Sequence, residues 1–85
     1  MNLTLADLNI NQLAVITGYA TQTPYRAKML ALGLTKGAIV FLVRRAPTGD
    51  PLEVRVKQGS ITLRKDEART LLVKLHINTE IGPNE

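Results

Sequence analysis

The chain has no cysteine, no tryptophan, one phenylalanine, two tyrosines and one histidine among its 85 residues. Without thiols there can be no disulfide, thiolate metal site or cysteine nucleophile, and nothing points to an oxidising compartment. The one histidine, His76, has no carboxylate near it in sequence and no second histidine at ligand spacing. Neither a nucleophile–base pair nor a metal pair is therefore written into the chain. Carboxylates are few, seven against eleven Lys and Arg. Asp66 and Glu67 are adjacent and diverge on a helix, which suits acids at a helix start better than a paired acid and base. Asp50 and Glu53 fall short of the about six to eight oxygens calcium takes. Gly33 and Gly37 are not followed by the Gly-Lys-Ser/Thr of a phosphate loop. We expect no catalytic residues, no turnover (GTP hydrolysis included), no cofactor, and transition-metal binding no better than weak. No apolar run approaches the roughly 20 residues that span a bilayer, and Met1–Gln12 lacks the charged and apolar regions of a signal peptide. The expectation is a cytosolic chain without membrane insertion.

Aromatic scarcity bears on the basic balance. The net charge is +4 and the pI about 9.9, which suits an acidic partner. Arg44, Arg45, Arg55, Lys57 and Arg64 could line one stripe. Nucleic-acid barrels interleave such a stripe with aromatics for base stacking. Tyr19, Tyr25 and Phe41 are too few for that, so a solvated basic face is expected, and nucleic acid is not.

Apolar residues make up 45 % of the chain, enough for one packed domain. The pattern centres on Ala38–Lys57. Ala38–Val43 is an almost unbroken apolar run of strand length, read as a strand buried on both faces. Ala46–Pro51 is a stiff turn, with prolines at 47 and 51 and Gly49 free to take positive φ. Leu52–Lys57 alternates, with Leu52, Val54 and Val56 inward and Glu53, Arg55 and Lys57 outward. Gln58-Gly59 reverses the chain into a strand over 60–64 with Ile61 and Leu63 inward. A short helix over 65–71 and a last strand over 72–77 follow, the latter with Val73, Leu75 and Ile77 on one side. Upstream, Thr4 and Asp7 have capping-box spacing and Leu3 and Leu8 that of a hydrophobic staple, predicting one helical turn over 4–8. Gln12–Thr17 reads as the first strand, closed by Gly18. The result is a mainly β fold, a small, partly open barrel of about five strands. A helix follows the first strand and a short one precedes the last. The domain is expected over 1–77, with a C-terminal tail over 78–85.

The inserted helix starts at Thr23-Pro24, a capping residue followed by the proline favoured at the first helical position. It ends at Gly33, with Leu34 placed for the apolar contact of a Schellman motif. Tyr25, Met29 and Leu32 share one face and are expected to pack on the barrel. Ala27, Leu30 and Leu34 form a second face, with Arg26 and Lys28 between the two. Arg26, Lys28, Leu30 and Leu34 are therefore the candidate partner-binding residues, an apolar anchor rimmed by basic side chains.

Met29-Leu30-Ala31-Leu32-Gly33-Leu34-Thr35-Lys36-Gly37, an apolar strand, Ala46-Pro47-Thr48-Gly49-Asp50-Pro51, and then Ile61-x-Leu63-Arg64-x-x-x-Ala68 resemble the FeoA family. The resemblance covers about Leu3 to Leu75. Asn11 stands where the family often has glycine, and Asn tolerates the left-handed turn. The resemblance implies an SH3-like barrel with a helix after the first strand. It also implies a non-catalytic regulatory protein of ferrous iron uptake that binds the cytoplasmic part of the FeoB transporter and modulates its transport or GTPase activity. Such a protein is peripheral at the inner membrane through its partner, with self-association open. Two alternatives remain at this point. One is a metal- or peptide-binding domain like that of diphtheria-toxin-repressor-type iron regulators, for which a chain starting at Met1 is expected to lack the DNA-binding part. The other is a basic nucleic-acid barrel.

Overall fold

The computed structural model of the chain describes residues 3–20 and 23–76. Its elements are β1 (Leu3–Thr4), a 3-10 turn (Leu5–Asp7), β2 (Leu13–Tyr19), α1 (Arg26–Ala31), β3 (Ile39–Arg45), β4 (Leu52–Val56), β5 (Gly59–Leu63), α2 (Lys65–Ala68) and β6 (Leu71–Leu75). The strands form one six-stranded sheet in the order β1-β6-β2-β3-β4-β5, and every pairing between them is antiparallel. The expected mainly β architecture with its two helices is present. The sixth strand is the two-residue β1, which the helix-start pattern at Thr4 concealed: Leu3 and Thr4 pair with Val73 and Leu72 before the turn begins. The turn itself forms as its sequence predicts. The Thr4 amide and hydroxyl both donate to Asp7 Oδ2, at 2.9 and 3.0 Å, and Leu8 is buried. Asn11 takes the left-handed conformation at φ 68°. The tail over 78–85 and Ile77 lie outside the described residues.

Two expected strand ends move because the sheet tolerates bulges. β2 runs through Gly18 to Tyr19, with a register shift between Ile16 and Gly18. β3 extends to Arg45, with a shift between Leu42 and Arg44. α2 spans only Lys65–Ala68, and Leu71 opens β6. Along β6, Leu71 and Val73 are buried while Leu75, at the strand end, is exposed.

The expectation that β3 is buried on both faces is wrong. Val40 and Leu42 are buried, but Ile39 is 49 % exposed and Phe41 and Val43 are only part-buried. An apolar run has no periodicity of its own, so it cannot distinguish a doubly covered strand from one with an open apolar face. α1 does not cover that second face. Its Met29 joins Val40, Leu42, Leu52, Val54 and Leu63 in the single core on the inner side.

α1 ends as its sequence dictates. Gly33 sits at φ +84°, its amide donates to Leu30 O at 3.0 Å, and the Leu34 amide reaches back to Met29 O at 2.9 Å. These are the two bonds of a Schellman motif, and Met29 and Leu34, the pair that closes it, are both fully buried. At the other end the helix begins only at Arg26, with Tyr25 and not Thr23 at the cap position and no side-chain cap bond. The Tyr25 amide donates to Thr23 Oγ1 at 3.2 Å in a local turn just before it. A Cβ at Gly33 would lie 3.1 Å from the end of the Gln58 side chain, which can swing away. The penalty of substitution is therefore the left-handed backbone. Gly33→Ala is expected to cost about 1–2 kcal/mol, read as a lower denaturant midpoint. An unchanged midpoint would show that the helix does not end in this conformation.

Candidate functional site

Among the described residues, no group of three or more His, Asp and Glu side chains is placed to hold a metal ion, and no helix is long and apolar enough to cross a membrane. His76 is exposed just past the end of β6, and its amide donates to Leu13 O at 3.0 Å. What the fold displays instead is surface.

The α1 surface differs from its sequence reading in two ways. Leu34 is fully buried, because the Schellman turn folds it back onto Met29, so it is withdrawn as a docking residue. Lys28 is not a free rim charge. Its Nζ lies 2.5 Å from Glu67 Oε2 of α2. Leu30 is 45 % exposed and Arg26 is exposed. The Arg26 guanidinium lies 5.3 Å from the Tyr19 ring centroid, a cation–π distance. The Tyr19 hydroxyl donates to Leu34 O at 2.5 Å, fixing the ring beside the helix end. Arg26 and Lys36 border an open cleft of about 560 Å³ with Thr17, Gly18, Tyr19 and Thr23.

Glu67 is the charged residue the sequence reading missed. Read only as an acid at a helix start, it is buried, at 5 % exposure. Its Oε1 accepts the Arg64 amide at 2.9 Å, closing the first turn of α2. Burial by itself pushes its carboxyl up. The hydrogen bond from Lys28, the Arg64 amide, and the charges of Lys28 and Arg64 outweigh that and hold it below its ordinary 4.5. Glu67 at the third helical position, accepting the amide of the residue before the helix, is the acidic half of a capping box and was a usable local signal, whereas Arg64 supplies no side-chain cap. The partner on another helix was not.

The supposed basic stripe is also broken up. Arg44 binds Glu53 Oε1 through Nη2 at 2.6 Å and Nε at 3.0 Å. Arg45 turns under the N-terminal turn, where Nη2 donates to Leu8 O at 2.8 Å and Ala6 O at 3.2 Å. That bond satisfies carbonyls at the end of the turn, which have no partner of their own.

A second surface comes from the open side of β2 and β3. Leu13 pairs with Phe41 and Val15 with Ile39. The alternate pair, Ala14 and Val40, is buried, so these four apolar side chains share the outward face. Across β4, Phe41 pairs with Arg55. Across β6, Val15 pairs with Lys74.

The model of the FeoA domain family matches residues 3–75. The chain belongs to the FeoA family. It is similar to the FeoA-like protein of Clostridium acetobutylicum, with a TM-score of 0.84 at 25 % identity over 98 % of this chain and 96 % of that one. It is also similar to the FeoA of Stenotrophomonas maltophilia, described as a procaryotic SH3 domain protein and complexed with zinc. There the TM-score is 0.73 at 29 % identity, over 85 % of this chain and 89 % of that one. A fusion of Fe(2+) transport protein A with the Fe(2+) transporter FeoB, from Porphyromonas gingivalis, is 28 % identical over 71 residues, 84 % of this chain. This FeoA domain spans only 8 % of that fusion protein's length. The SH3-like architecture and the place of the family in ferrous iron transport agree with the reading of the sequence.

Proposed function

We propose that this FeoA domain is a non-catalytic accessory of bacterial ferrous iron uptake. It docks on the cytoplasmic part of a FeoB-type transporter and modulates its transport or its GTPase activity. The observation that carries this reading is the fusion relative, in which an FeoA segment and FeoB share one chain: two domains joined covalently work at the same place. The protein resides in the cytoplasm and reaches the membrane surface through its partner, without a cofactor of its own. Of the residues chosen on α1, Arg26 and Leu30 stay available for contact, and Lys28 holds the helix against α2. A single apolar side chain is a small anchor, since interface energy concentrates in clusters of well-packed residues.

The test is co-purification. The tagged chain is expected to retain the detergent-solubilised FeoB-type transporter of the same bacterium and to change its rate of GTP hydrolysis. The chain alone is expected to release no phosphate. A transporter that neither co-purifies nor changes its rate would defeat the proposal.

A further inference from the structure

We infer that the outer face of β2 and β3 is the docking surface, and that its occupant is an acidic protein surface with an apolar centre. This rests on the proposed function for the identity of the partner. The centre of the face is the two-by-two block of Leu13, Val15, Ile39 and Phe41. Its rim is basic: Arg55 beside Phe41, Lys74 beside Val15, and Lys57, which lines with Ile39, Lys36 and Gly37 a cleft of about 360 Å³ at the end of the strands.

Charge decides the occupant. Among the described residues, Lys36, Arg55, Lys57 and Lys74 form no ion pair, while Glu53, which lies on the outward side of β4 with Arg55, is taken by Arg44. Among the described residues, four uncompensated cations therefore flank a partly exposed apolar block, with Ile39 at 49 % exposure, in a chain whose net charge is +4. A second copy seated face to face would bring cation against cation, which costs binding energy and slows encounter. The block stands on a sheet and not on a projecting loop, so it can meet an opposing surface but is poorly shaped to insert among lipids. A partner surface with apolar residues between carboxylates answers both features. Burial supplies the affinity at the centre, and the unpaired cations steer approach and set the register at the rim. Scattered single apolar residues on a surface need no explanation, but a contiguous block with a one-sign rim does.

The experiment compares Ile39→Asp, the charge-reversing pair Arg55→Glu with Lys57→Glu, and the α1 pair Leu30→Ala with Arg26→Glu. Each is measured for thermal unfolding and for binding to the solubilised transporter at low and high salt. The expected result is binding weakened about tenfold or more by Ile39→Asp and by the charge reversal, with near-native melting. Added salt should weaken the wild type more than the charge-reversed protein, and the α1 pair should bind as wild type. The charge reversal lies on exposed side chains, so it decides the matter even if Ile39→Asp fails to fold. Loss of binding in the α1 pair alone would move the surface to α1 and leave the partner intact. A transporter that ignores the wild type would end the functional reading and this inference with it. A dimer, or retention by anionic phosphatidylglycerol vesicles, that Ile39→Asp abolishes would also overturn the assignment, because the occupant would then be a second copy or a membrane.

Discussion

Leu34→Ala is expected to destabilise the domain by about 2–5 kcal/mol, whereas Leu30→Ala, four residues earlier, should change it by no more than about 0.5 kcal/mol. The two leucines looked equivalent on a helical wheel. They are not, because the helix stops between them. Gly33 turns the chain so that Leu34 packs back on Met29, both fully buried, while Leu30 keeps pointing away at 45 % exposure. Truncating Leu34 opens a cavity beneath α1 and beside Tyr19, whose hydroxyl is anchored on the Leu34 carbonyl. Such a domain has a total stability of the order of 5–10 kcal/mol, so the loss should be plain in a denaturant titration. Equal midpoints for the two variants would show that Leu34 is not core.

Lys28→Met should cost about 1–3 kcal/mol near neutral pH. It keeps the aliphatic stem of Lys28 but strands the Glu67 carboxylate, buried and without its counter-charge. The figure is below the about 3–5 kcal/mol of a fully buried pair, because half of the Lys28 side chain lies in water. The pH dependence has a definite sign. Glu67 titrates in the folded protein below its ordinary 4.5, so the folded state prefers it ionised. Its stabilisation is present above about 4.5 and is lost as pH falls through the lowered folded value. In Lys28→Met the carboxyl titrates higher, closer to or above its unfolded value, so the variant loses less stability than the wild type as pH falls through the acid range. Urea unfolding across the acid range checks this, with Glu67→Gln as the control that lacks the titration. If Glu67→Gln loses stability on acidification as steeply as the wild type, Glu67 is not the group responsible.

The parts of this protein legible in its sequence are those governed by neighbours a few residues apart. The Thr4–Asp7 turn, the Gly33 stop and the alternation of β4 rest on local geometry: backbone φ, capping hydrogen bonds and a two-residue period. Each stands where the residues place it. The motifs at Met29–Gly37 and Ala46–Pro51 are of the same local kind, and they also carried the family. The readings that moved depend on what comes from far along the chain. Whether the second face of β3 is covered depends on where α1 lies, and the run Ala38–Val43 reads the same either way. Glu67 and Lys28 are 39 residues apart, and no spacing rule joins them. Arg45 looked like a member of a stripe, and its carbonyl partners at Ala6 and Leu8 lie 39 and 37 residues away. The sequence alone thus determined most of the elements, though not β1 or every strand end, together with the inward residues of β4 and the end of α1. Only the tertiary structure decided which apolar surface remains open and which charges are already paired, because exposure and charge pairing are properties of the packed assembly of strands and not of any one segment.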